Sequence, residues 1–166
     1  MSFTGWREVT EEDIKFVAWN IRDADLRELR AVSNRPAVEI IREGVRYSRP
    51  ARVAVINDEP VAIFGVVPFD DPGIGSIWMI GTDSIELSPI SFLRRCKDEM
   101  EDLLAGYCYV SNICHAENTL HLKWLKWLGF TVDEEVIRTS HNDEPFHHFH
   151  KNLLTIGGQP CVPPQP

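Results

Sequence analysis

Residues 117–130 read ENTLHLKWLKWLGF, and the fold is decided by how this stretch is taken. Its apolar residues recur at helical spacing, Trp124 and Trp127 lie three apart on one face, and the run stops at Leu128-Gly129-Phe130. Asn118 stands where a helix takes its N-cap, since a short side chain there satisfies a free N–H of the first turn. The spacing therefore predicts one amphipathic helix. Upstream, Tyr107 to Ile113 reads as a strand; downstream, Val132 to Thr139 and Pro145 to Lys151 read as a closing hairpin.

Working further outward, Ser88-Pro89 predicts the capped start of another helix, with Leu93, Cys96, Met100 and Leu103 as its buried stripe and Gly106 as its end. Before it, ARVAVI (51–56), VAIFGVV (61–67) and SIWMIG (76–81) are strand-like runs rich in β-branched residues. The turn signals Asn57-Asp58-Glu59-Pro60 and Asp70-Asp71-Pro72-Gly73 join them into a meander. At the start, Gly5 to Val9 predicts a short strand and Thr10, with Asp13 three residues on, a helix cap. Ile14, Val17, Ala18 and Ile21 follow, and Leu26, Leu29 and Val32 continue the pattern after a break near Asp23. Pro36 suits the first turn of a further helix carrying Val38, Ile41 and Val45. The order is β-α-α-β-β-β-α-β-α-β-β, which calls for an α/β domain with a mixed, mostly antiparallel twisted sheet and helices on both faces.

Composition narrows the function classes. A chain of 166 residues with 43% hydrophobic and 25% charged residues is sized for one domain. A net charge of −8, with no basic run, argues against nucleic acid and anionic lipid as partners. No window approaches a membrane span, and MSFTGWREVTEEDI lacks the features of a signal peptide, so a cytoplasmic chain is expected. Cys96, Cys108, Cys114 and Cys161 form no CxxC pair and are expected to be reduced. Residues 1–154 are read as the domain and 155–166, rich in proline and glycine, as a flexible tail.

The order of elements, the opening WREVTEEDI and the helix from Asn118 to Gly129-Phe130 together resemble the GNAT family of N-acetyltransferases over about residues 5–151. The resemblance implies a GNAT-like fold. It also implies acetyl-CoA as cofactor, the backbone of Met79, Ile80 and Gly81 as the seat of its pantetheine arm, and Asn118 as a cofactor contact. Asp83 or Glu86 would be the candidate catalytic base. The family's motifs are broken in this sequence, however. The pyrophosphate loop position holds Gly81-Thr82-Asp83-Ser84-Ile85-Glu86-Leu87-Ser88-Pro89, with one glycine and two carboxylates where phosphates would sit. The general-acid tyrosine falls on Leu125, which has no proton to give, and the small residue after Asn118 is His121, which would narrow the pantetheine slot.

The aromatic strand running into Thr-Asp (Trp78-Met79-Ile80-Gly81-Thr82-Asp83) and the helix start Asn118-Thr119-Leu120-His121 are similar to GNAT-like proteins of short-tailed bacteriophages, including the internal virion protein A type. That resemblance implies an accessory role in virion assembly or genome delivery without acetyl transfer. It also implies a phage structural or host protein as partner, and a place in the host cytoplasm or the virion. The alternative is a working acetyl-CoA-dependent enzyme acting on a host protein or small amine. Trp78, Thr82 and His121 join the functional candidates on this basis. Trp78, Trp124 and Trp127 are expected to pack together and fill the cofactor cleft. His148 and His150 share one face of the last strand, but no third ligand is spaced for a metal, so none is expected.

Overall fold

The computed structural model describes residues 4–87 and 89–153. Its elements are β1 (Gly5–Arg7), α1 (Glu11–Trp19), α2 (Asp23–Val32), α3 (Ala37–Tyr47), β2 (Ala51–Ile56), β3 (Glu59–Pro68), β4 (Ile74–Gly81), α4 (Ser84–Leu87), α5 (Pro89–Leu103), β5 (Tyr109–His115), α6 (Thr119–Trp127), β6 (Thr131–Arg138) and β7 (Pro145–Asn152).

Local chemistry sets most of these bounds. Thr10 Oγ1 accepts from the Asp13 N–H at 3.3 Å and the Asp13 carboxylate accepts from the Thr10 N–H at 2.8 Å, a complete capping box. Arg7 fixes the same carboxylate from β1 at 2.6 Å. Asn57 and Asp58 turn the β2–β3 hairpin in two residues with φ of 49° and 67°, values that short polar side chains tolerate. Gly73 turns with φ of 79°, and a Cβ there would lie 2.8 Å from Cys108 Sγ.

The seven strands form one sheet in the order β1-β2-β3-β4-β5-β7-β6. Every pairing is antiparallel except β4 with β5. Strand alternation sorts the core into two layers. On one face Ile14, Val17 and Ile41 from α1 and α3 cover Val53, Val55, Ile63 and Ile80. On the other, Phe92, Cys96 and Met100 of α5 and Trp124 and Leu125 of α6 cover Ala62, Phe64, Val66 and Ile77. Helices flank both faces, as the order of elements requires.

Some expectations are corrected. The helical pattern broken near Asp23 is two separate helices, because Ile21 leaves the helix to bridge Thr82 at the end of β4. A one-turn helix, α4, occupies the loop before Pro89. Pro36 is the N-cap of α3, one position ahead of the first turn where it was expected. Cys96 and Cys114 are free and buried, but Cys108 is disulfide-bonded, which overturns the expectation that all thiols are reduced. The reading of 155–166 as a tail and of Ser88 as a cap lies outside the described residues. Among the described residues, no helix is long and apolar enough to cross a membrane.

Candidate functional site

The parallel strands β4 and β5 pair only at their beginnings, from Ile74↔Tyr109 to Ser76↔Ser111. Beyond that they part, and the Asn112 side-chain amide spans the opening by donating to the Ile77 carbonyl at 2.7 Å. Thr82 N–H donates to Val61 on β3, so alternation turns Ile80 toward β3 and Met79 and Gly81 toward the gap. Gly81 is occupied on both sides: its N–H donates to the Asp25 carboxylate at 2.8 Å and its carbonyl accepts from the Arg22 N–H at 2.9 Å. Of the three residues Met79, Ile80 and Gly81, Met79 is the one left with its main-chain polar groups facing the opening.

The groups that hold Gly81 come from the start of α2. Arg22 and Asp25 form a buried pair at 2.7 and 3.2 Å, and Arg22 reaches Glu86 at 3.3 Å. The guanidinium also lies 5.7 Å from the Trp124 ring centre. Burial alone would lower Arg22, but Asp25 and Glu86 outweigh it and keep the cation charged. One turn further, Glu28 accepts from the His115 N–H at 2.9 Å, from Asn118 Nδ2 at 3.0 Å and from Cys114 Sγ at 3.4 Å. Asn118 in turn caps α6, its Oδ1 accepting from the His121 N–H at 3.4 Å.

His121 is 8% exposed, and its Nδ1 is buried with no hydrogen-bond partner. Burial pushes its pKa down, with Glu28 and Asp25 opposing and Arg22 assisting, so the imidazole is neutral. Burial also pushes the Cys114 thiol up, and Glu28 adds to the rise. Asp25, Glu28, Trp78, Met79, His121 and Phe146 line a cavity of about 280 Å³ on the α2–α3 face of the gap. On the α5–α6 face the opening is nearly closed: Phe92, Trp124, Leu125 and Phe130, with Met79 and His121, leave about 40 Å³.

Two main-chain donors of the loop after β4 are taken up within it. Ile85 N–H donates to the Thr82 carbonyl at 3.2 Å and Glu86 N–H to the Asp83 carbonyl at 3.0 Å, closing the turn of α4. Gly81 is small for packing, since a Cβ there would lie 2.7 Å from the Ile85 side chain. Thr82 is buried with Oγ1 unpartnered, Asp83 is exposed, and Glu86 is half exposed while bound to Arg22. Leu125, the residue that the family resemblance sets against the general acid, is buried in the core.

The structure thus brings Met79 and His121 to the wall of one opening, ties Gly81 to Asp25 and Asn118 to Glu28 beside it, and sets Asp83 on the outer surface of the loop. Trp78 points to the α2–α3 face, away from α5 and α6: its Nε1 donates to Ser48 Oγ at 2.8 Å and its ring lies over Gly44 and Gly65. Trp127 is exposed beside Lys97, which lies 5.1 Å from its ring centre. The expected tryptophan cluster is therefore corrected; Trp124 alone of the three sits in the α5–α6 core, because neighbours on a strand alternate and a nine-residue helix buries one stripe. The charged groups Arg22, Asp25 and Glu28 were missed, since DADLRELR reads as a solvated helix face; their one signal is the i, i+3 spacing along that face. A third group for His148 and His150 also exists: a bulge in β6 brings Asp133 to 3.0 and 3.5 Å from them.

No protein-family model matches the chain and no curated protein matches it by sequence. Solved structures do. Ribosomal-protein-alanine N-acetyltransferase from Brucella melitensis superposes with a TM-score of 0.68 at 13% identity, covering 89% of this chain and 99% of that one. A GCN5-related N-acetyltransferase from Kribbella flavida gives 0.63 at 19%, covering 89% and 96%. Aminoglycoside acetyltransferase AAC(6')-Ib, crystallised with coenzyme A and kanamycin, gives 0.64 at 15%, covering 90% and 95%. The chain has the GNAT fold, and at these identities the likeness is one of fold.

Proposed function

We propose that this GNAT-fold chain does not transfer acetyl groups and serves as a phage accessory protein in virion assembly or genome delivery. The observation that carries the first half is the loop after β4. A pyrophosphate needs free N–H groups converging at a helix start. Here the Ile85 and Glu86 amides are spent inside α4, and the Glu86 carboxylate stands at the same place. The filled α5–α6 face, with Leu125 where an acid would be, supports the same reading. The second half rests on the resemblance of residues 78–83 and 118–121 to phage proteins. It implies a phage structural or host protein as partner and a place in the host cytoplasm or the virion.

Calorimetric titration with acetyl-CoA tests the first half: no heat is expected up to millimolar cofactor with protein shown folded by circular dichroism. Micromolar binding would overturn it. For the second half, mass spectrometry of purified particles from a phage carrying this reading frame should find the chain; particles that lack it would end the virion reading.

One observation favours a rival, an acetyl-CoA-dependent N-acetyltransferase of a host protein or small amine. Met79 keeps its main-chain groups turned to the gap beside a cavity lined by Asp25 and Glu28. In that reading Met79 seats the cofactor's arm, and Asp83 or Glu86 takes the amine's proton. Glu86 is already paired with Arg22, and Asp83 stands exposed on the outer surface of the loop. The same titration separates the readings.

A further inference from the structure

Glu28, Cys114 and His121 come from three elements, α2, β5 and α6, and their ligand atoms lie within 4.8 Å of one another. Cys114 Sγ already lies 3.4 Å from Glu28 Oε1. Ligands around a tetrahedral zinc ion stand roughly 3.3–3.8 Å from each other, given metal–ligand bonds of about 2.0–2.3 Å. Only a small contraction about a central ion is needed.

The surroundings are those of a built site. His121 is 8% exposed and its Nδ1 has no hydrogen-bond partner, an expense that a buried imidazole seldom carries. Glu28 is oriented by two donors, the His115 main-chain N–H and Asn118 Nδ2, which is how outer groups hold a metal-binding carboxylate. Glu28 and His121 both line the 280 Å³ cavity, which provides an entry path. The nearby Arg22 charge is compensated by Asp25 and Glu86.

We propose that Glu28, Cys114 and His121 bind a divalent ion of the zinc class, tying α2, β5 and α6 together across the gap. Thiolate, imidazole and carboxylate together suit zinc better than magnesium or calcium. As the metal–sulfur bond forms, the Cys114 thiol releases its proton to solvent. Three protein ligands leave a fourth position, facing the cavity, for water or a small anion. This site does not depend on whether the chain binds acetyl-CoA.

Cobalt(II) titration of the full chain in degassed buffer reads the site directly. The expected result is a one-to-one complex with a thiolate-to-metal charge-transfer band and tetrahedral ligand-field bands, both displaced by zinc. Cys114→Ser should lose the charge-transfer band and Cys96→Ser should keep it. Glu28→Gln, which preserves the hydrogen-bonding shape, should weaken zinc binding by more than the roughly 10–100-fold of an outer-group change. Folded protein without the band, a band that survives Cys114→Ser, or cobalt held without thiolate contact, as at His148 and His150, would overturn the proposal. Should Cys114→Ser not fold, the wild-type band and its loss in Glu28→Gln decide the matter.

Discussion

The Asn118 side-chain amide accepts the His121 N–H that opens α6 and donates to Glu28. Asn118→Ala removes the cap and one of the donors on a half-buried carboxylate, and should cost about 0.5–2 kcal/mol, read as a lower urea midpoint at unchanged slope. A larger cost is expected at Asp25. It neutralises buried Arg22 and receives the Gly81 N–H, so Asp25→Ala leaves the buried cation with the half-exposed Glu86 as its remaining partner and should lose about 3–5 kcal/mol. A loss under 1 kcal/mol would show that Glu86 alone suffices to neutralise Arg22. Gly65 tests packing instead of charge: a Cβ there would lie 2.6 Å from Trp78 Nε1 and against Ser48 Oγ, so Gly65→Ala should cost about 1–3 kcal/mol.

At the scale of elements, α4 and α6 argue the chemistry together. Leu125→Tyr restores the residue type of the family's general acid, but the side chain would enter a packed core and no phosphate cradle would be gained. Acetyl transfer should stay absent in a thiol-release assay, and stability should fall by about 1–3 kcal/mol. Glu86→Gln should likewise fail to create acetyl-CoA binding, because the amides of Ile85 and Glu86 remain committed to their own turn. Binding by either variant would mean that charge or one missing hydroxyl, not the geometry of the loop, excludes the cofactor. The capping box at Thr10 and the Asn57-Asp58 turn were legible because each is written within four consecutive residues. The extra turn of α4 was not, since SIEL carries no pattern of its own and is held by Gly81 and Ile85 packing.

For the whole molecule, the buried imidazole makes the stability of the metal-free chain depend on pH. Burial lowers the folded-state pKa of His121 below its ordinary value of 6.5. The unfolded chain then takes up a proton as pH falls through about 6.5 while the folded chain does not. Stability should drop below that pH by up to about 1.4 kcal/mol per unit. His121→Gln should remove that part of the slope in urea titrations; an unchanged slope would place the proton elsewhere. At lower pH a second loss is expected: burial would raise Asp13, but its bonds to Arg7 and Thr10 outweigh this and depress it below 3.8. Its stabilisation is present above that value and disappears as pH falls through the depressed folded-state pKa.

The amino-acid sequence alone determined the periods, turns and caps, and through them the order of elements and the GNAT-like sheet, because those signals act between residues a few positions apart. It also supplied, through the family resemblance, the expectation of an altered pyrophosphate loop and general acid, since both are read from residue types in short stretches. Only the tertiary structure decided which charged residues are buried and what meets across the gap between β4 and β5. Asp25 reaches Gly81 across 56 positions and Glu28 reaches His115 across 87. A helix face reading DADLRELR looks solvated until the sheet brings β4, β5 and α6 against it, and desolvation, which no local pattern records, then buries Asp25 and half-buries Glu28 beside the gap.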